Sequence, residues 1–95
     1  MANLTEKELS VLKAIDFNEF GDDVMDPVYT WSVFDYASGV ESTSFPGVVS
    51  SLVKKGYVWS DTDNRDEDDN CMGFTDEGLV AYKEAAGDDI CKAAA

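Results

Sequence analysis

The densest group of side chains able to do chemistry is an acid run: Asp61, Asp63, Asp66, Glu67, Asp68 and Asp69 surround a single cation, Arg65. Carboxylates so crowded can either hold a hard cation or attract a basic surface. The spacing argues against the first. Asp61-x-Asp63 opens like a calcium-binding loop, but Arg65 falls where a third oxygen ligand belongs, Asp66 replaces the turn glycine and Met72 replaces the closing glutamate. No metal site is expected, and the run is left as a candidate partner-binding surface, with Asp22 and Asp23 as a second acidic patch. The plain alternative is a solvated surface that keeps the chain soluble.

Catalysis finds little support. With no histidine in the chain, hydroxyl and thiol groups lack the usual general base, and carboxylates in a polar loop have no evident pocket to shift their pKa. Cys71 and Cys91 form neither a C-x-x-C pair nor a zinc spacing, so free thiols in a reducing cytoplasm are the expectation. Cys71, on a strand, is expected to be buried rather than reactive. Trp31 and Trp59 have the chemistry to stack on a ligand, but their spacing suits the core. No catalytic residue and no cofactor is expected, and the chain reads as a non-enzyme.

Charge bears on the choice of partner. Twenty Asp plus Glu against seven Lys plus Arg give −13 and a pI near 4.1. Two unit charges about 10 Å apart in water interact by about 0.4 kcal/mol before screening, and such terms accumulate against phosphate or an anionic membrane. The hydrophobic content of 44% and aromatic content of 12%, spread along the chain, support a folded domain rather than disorder. At 95 residues one core is expected, 1–95 being one domain. No stretch approaches the roughly 20 apolar residues of a membrane span, so an intracellular, cytoplasmic location is expected.

The elements that must position these groups can be read in order. Thr5-Glu6-Lys7-Glu8 reads as a capping box, followed by a stripe of Leu9, Val11, Leu12 and Ile15, which Phe17 and Phe20 are expected to extend. An acidic connection over 16–26 surrounds Gly21. Asp26 and Pro27 then suit a helix start, although Val28, Tyr29 and Thr30 equally suit a short strand. Trp31 to Ala37 reads as helix, ending near Gly39. The next helix is capped from Ser42-Thr43-Ser44, tolerates Pro46 in its first turn, buries Val48, Val49, Leu52 and Val53, and stops at Lys54-Lys55-Gly56. Tyr57-Val58-Trp59 and Cys71-Met72-Gly73-Phe74 read as a hairpin with a long polar tip. Thr75 caps a last helix marked by Leu79, Tyr82 and Ala86, and 86–95 is expected to fray.

The stretch from Val48 to Lys83 resembles the MarR-type winged helix-turn-helix. In that family a helix ending in Lys-Lys-Gly is followed by a strand, an Asp/Arg wing and a Thr-x-x-Gly helix start. Asn64-Arg65-Asp66 sits where the family commonly carries an Asp-x-Arg wing signature, and Phe74-Thr75-Asp76-Glu77-Gly78 parallels its Leu-Thr-x-x-Gly junction. The segment from Thr5 to Ile15 also resembles the family's early helix, and the resemblance as a whole is read over about two thirds of the chain. It implies an α+β fold: a winged helix-turn-helix of three helices, a two-stranded wing hairpin and a C-terminal helix. The long terminal helices that dimerise the family have no counterpart here, so a monomer or weak dimer is expected.

The resemblance also implies DNA binding, with Ser42, Thr43, Ser44 and Phe45 leading the recognition helix and Lys54, Lys55 and Arg65 as nearby cations. Three cations fall short of the roughly 6 to 10 phosphate contacts of strong binders, and the wing offers acids where the family offers bases. The favoured expectation is therefore a regulatory module that binds a basic protein partner, its acids imitating the phosphate array of DNA. In this it resembles, in style rather than motif, small acidic phage proteins. A DNA-binding transcriptional regulator reading its site near 43–55 is the alternative.

Overall fold

A computed structural model describes residues 4–61 and 69–94. The chain is α+β: among the described residues four α-helices pack with one three-stranded antiparallel sheet. The long hairpin tip, with Asp63, Arg65, Asp66, Glu67 and Asp68, lies outside the described residues.

Helix α1 (Glu6–Asp16) begins at the expected capping box: the Glu8 amide donates to Thr5 Oγ1 at 3.2 Å and the Thr5 amide donates to the Glu8 carboxylate at 2.9 Å. Each bond satisfies an amide that the helix itself leaves without a partner. Val11, Leu12 and Ile15 are buried and Leu9 partly so. The helix stops at Asp16, so its periodicity goes no further, and Phe17 and Phe20 point away from the core instead of extending the stripe.

Strand β1 (Val28–Tyr29) resolves the two alternatives in favour of extended chain at Val28 and Tyr29, whereas Thr30 already belongs to the following helix. Val28 pairs with Met72 and Tyr29 with Cys71, which adds a third strand to the expected hairpin. Alternation along β1 buries Val28 and exposes Tyr29. Helix α2 (Thr30–Tyr36) follows directly, without a side-chain cap, the Thr30 amide donating to the Asn70 carbonyl at 2.9 Å.

Helix α3 (Phe45–Lys54) carries Pro46 in its first turn. The expected hydroxyl cap is not used: Ser44 is the N-cap residue but its side chain makes no cap bond, and the Ser44 and Phe45 amides donate to the Glu41 carbonyl instead. Phe45, Val49 and Leu52 are buried and Val48 partly so, whereas Val53 is exposed, one position past the edge of the stripe. At the other end the Gly56 amide donates to Val53 O and the Tyr57 amide to Leu52 O, both at 3.0 Å, a paired C-terminal closure that requires the left-handed φ of +79° at Gly56.

Strands β2 (Val58–Ser60) and β3 (Cys71–Phe74) pair through Val58–Phe74, Trp59–Gly73 and Ser60–Met72, giving the order β1-β3-β2 with β3 central. Helix α4 (Asp76–Ala86) is capped by Thr75 Oγ1, which accepts from the Gly78 amide at 3.0 Å. The same hydroxyl donates to the Gly56 carbonyl, and the Thr75 amide donates to Tyr57 O at 3.1 Å. Gly78 is required here because a Cβ would stand 1.6 Å from Tyr57 O. The Thr-x-x-Gly spacing is thus the means by which α4 docks on the end of α3.

The core lies between α1, α3, α4 and the inner sheet face, with Val11, Leu12, Ile15, Leu52, Met72, Phe74 and Tyr82 fully buried. The segment after α4 departs from expectation: residues 91–93 dock instead of fraying. The buried Asp16 carboxylate accepts the backbone amides of Cys91 at 2.8 Å, Lys92 at 2.8 Å and Ala93 at 3.0 Å, together with the Tyr82 hydroxyl at 2.6 Å. A buried anion needs such partners to be tolerated at all.

Candidate functional site

The expected site residues fall into three groups. Asp61 and Asp69 are exposed where the strands of the β2–β3 hairpin meet its tip, and the other acids of the run lie outside the described residues. The Asp61 amide donates to Cys71 O at 2.8 Å, continuing the ladder. Burial first, and then the negative charges of Asp61 and Asp69, push the half-buried Cys71 thiol above its ordinary value. A thiol so protonated at neutral pH is a poor nucleophile.

Asp22 and Asp23, the second patch, are exposed in the α1–β1 loop. Their amides both donate to the Asp26 carboxylate, at 3.1 and 3.0 Å, and the Met25 amide donates to Asp23 at 3.0 Å, so the acids here partly serve to shape the loop.

The third group leads and closes α3. Ser42 and Thr43 are exposed, Ser44 is partly buried, and Phe45 is largely buried, edge-on to Phe34 with ring centroids 5.2 Å apart. Lys54 is exposed. Lys55 is turned inward: its ammonium donates to the buried Glu8 carboxylate at 2.7 Å, while Ser51 Oγ donates to the other oxygen at 2.8 Å. Burial alone would raise the Glu8 pKa, but the hydrogen bonds from Lys55, the Thr5 amide and Ser51, with the Lys55 charge, outweigh it and hold the carboxyl below its ordinary value. One carboxylate therefore closes the α1 cap and clasps α1 to α3. Lys13 pairs with Asp89, and Lys92 donates to the carbonyls of Asn18 and Gly21, so these cations too serve the fold.

The most distinctive surface feature was not legible as a site in the sequence. Phe20 from the loop, Tyr29 from β1 and Trp31 from α2 pack against one another, with centroid separations of 5.3 Å for Phe20–Tyr29, 5.6 Å for Phe20–Trp31 and 5.9 Å for Tyr29–Trp31. The first two pairs meet edge to face, and the third is stacked at 18°. All three stay substantially exposed, at 45%, 37% and 42%. Trp31, expected in the core, is held outside because α2 buries Ser32 and Val33 instead, and Trp59, also expected there, is partly buried against Gly73 of the neighbouring strand.

Trp31 also forms one wall of an open cleft of about 340 Å³, with Phe34, Phe45 and Pro46 as its apolar lining and Thr30, Ser42 and Asn70 as its polar edge. Thr30 Oγ1 is buried there with no hydrogen-bond partner among the described residues. The one signal for the cluster in the sequence was the alternation at Val28-Tyr29, which sends Tyr29 outward once β1 is accepted as a strand.

Among the described residues no group of three or more Cys, Asp or Glu is arranged to hold a metal ion, and no helix is long and apolar enough to cross a membrane. Comparison of the chain with known protein families, with curated proteins and with solved structures finds no match. What can be said of function therefore rests on the α+β architecture and on this surface.

Proposed function

We propose that this protein is a non-enzymatic winged-helix module that regulates by binding a protein partner of basic character. The winged-helix reading is supported by the element order, with α2 and α3 as the helix-turn-helix, β2 and β3 as the wing strands and β1 as the third strand beside them. The MarR-type likeness is supported by the Gly56-Tyr57 and Thr75-to-Gly78 junction, whose glycines answer to physical demands of that layout.

The observation that carries the functional reading is the exposed aromatic cluster beside the cleft. Soluble domains seldom leave three large rings packed together in water, and such patches mark surfaces that are covered by partners. The alternative, DNA binding through α3 and the wing, loses Lys55 to Glu8 and keeps Lys54 and Arg65. Two phosphate contacts give a salt slope of about −1.8, or about a twelvefold loss of affinity from 50 to 200 mM salt, against more than a thousandfold for six.

Titration with random duplex DNA at about 50 and 200 mM salt tests the choice. No binding at either salt is expected. Clear low-salt binding that collapses at the higher salt would overturn the protein-partner reading in favour of a DNA-binding regulator.

A further inference from the structure

The aromatic cluster lies within a stretch of one-sided charge. From Ala14 to Val53 the chain contains Asp16, Glu19, Asp22, Asp23, Asp26, Asp35 and Glu41 and neither lysine nor arginine. Asp16 is buried and spent on the C-terminal segment, but Glu19 precedes Phe20, Asp22 and Asp23 follow it, and Asp35 stands one helical turn beyond Trp31 on α2. These four are exposed. Lys92 reaches the loop from the C-terminal segment, with its ammonium engaged by the carbonyls of Asn18 and Gly21. Lys54 stands at the far end of α3, about 13 Å of helix rise from Phe45 at the cleft.

Two exposed, nearly parallel rings, Tyr29 and Trp31, in a stretch of chain that carries acids and no base are suited to a guanidinium. Arginine is planar, weakly hydrated and stacks on aromatic faces while its N–H groups reach neighbouring carboxylates. Lysine, compact and strongly hydrated, does this less well. A second copy of this chain would bring the same acidic rim against the first, so self-association is opposed by charge. Phosphate is opposed for the same reason. The cleft adjoining Trp31 adds an apolar lining from Phe34, Phe45 and Pro46, and Thr30 Oγ1 has no hydrogen-bond partner among the described residues.

We infer that the Phe20–Tyr29–Trp31 cluster and the cleft beside it dock a short arginine-containing segment of a basic protein. The guanidinium lies on the Tyr29 and Trp31 rings within reach of the Glu19, Asp22 and Asp35 side of the patch, and a neighbouring apolar side chain of the segment enters the cleft. This rests on the protein-partner reading above and specifies where and by what chemistry the partner is held.

The test is a fluorescence-anisotropy titration of the full chain with a short glycine-spaced peptide carrying two arginines around one leucine, repeated with lysine and with glutamate in place of arginine. Amide chemical shifts serve to locate the contact. The arginine peptide is expected to bind at 50 mM salt, the lysine version at least threefold more weakly, and the glutamate version not at all. Trp31→Ala and Tyr29→Ala are each expected to weaken binding at least tenfold, Trp31→Phe less than threefold, and Val80→Ala, on the exposed face of α4, not measurably. Far-UV circular dichroism checks that each variant is folded.

Absence of arginine-peptide binding overturns the inference. So does binding that survives Trp31→Ala and Tyr29→Ala with shifts confined elsewhere, although that result leaves the protein-partner reading standing. Duplex DNA binding that is abolished by Trp31→Ala overturns both.

Discussion

Replacing Asp16 by alanine should undock the C-terminal segment and cost much of the domain's stability. The carboxylate is completely buried and accepts four hydrogen bonds: Lys92 and Ala93 amides on Oδ1, and the Cys91 amide and the Tyr82 hydroxyl on Oδ2. Alanine removes all four acceptor positions. The buried Tyr82 hydroxyl then has only the Asp89 carbonyl at 3.5 Å, too long to replace a 2.6 Å charge-assisted bond, and a buried donor left in this way costs about 1–3 kcal/mol. The three amides can regain water only if the segment lifts away, which exposes the buried Ala93 and adds about 1–2 kcal/mol in lost charge-assisted bonding.

The total is about 2–5 kcal/mol, out of the roughly 5–14 kcal/mol expected for a domain of this length. With a urea slope of about 1.5–2 kcal/mol/M, the unfolding midpoint should fall by about 2 M. Asp16→Asn is the sharper variant. Its remaining oxygen can keep the Lys92 and Ala93 amides, but its NH₂ then faces the Cys91 N–H, donor against donor, so about half the loss is expected. Amide hydrogen exchange at Cys91, Lys92 and Ala93 should accelerate toward unfolded rates in the alanine variant ahead of global unfolding. A cost below about 1 kcal/mol for Asp16→Ala, with exchange at these amides unchanged, would refute the reasoning.

Two further perturbations follow from the same interior. Gly78→Ala drives a methyl group into the backbone carbonyl of Tyr57, where no flexible side chain can give way, so a loss of about 3 kcal/mol or more is expected in urea unfolding. Glu8 has a folded pKa below its unfolded value near 4.5, so the stability it contributes is present above that pH and is lost as pH falls through the lower folded value. Glu8→Gln keeps the cap geometry and loses the titration. A stability profile from pH 6 down to pH 2 should therefore fall less steeply for the variant below about 4.5 than for the parent protein, and an identical profile would remove Lys55 and Ser51 from the account.

Much of the fold follows from local chemistry and was legible as such. The Thr5-to-Glu8 box, the Gly56 stop and the Thr75-to-Gly78 start each satisfy backbone groups within a few residues, so their spacing is itself the cause of the structure. Periodicity likewise marked Val11, Leu12, Ile15, Val49 and Leu52 as interior, because a helix face is fixed by its own geometry. Where the pattern ended, so did its reach: Phe17 and Phe20 were grouped with the stripe of α1, yet the helix stops before them.

The candidate site belonged almost wholly to the tertiary structure. Lys55 looked like a free cation because its partner, Glu8, is far away in sequence, and Asp16 looked like one more solvated acid because its ligands come from the other end of the chain. The aromatic cluster draws one ring each from a loop, a strand and a helix, and no periodicity links them. The sequence by itself determined the helices, the caps at Thr5 and Thr75 and the excess of negative charge, since these depend on neighbours along the chain. Only the tertiary structure decided which charges are spent on the fold and which rings are left facing water, because that depends on groups brought together across the chain when the core forms.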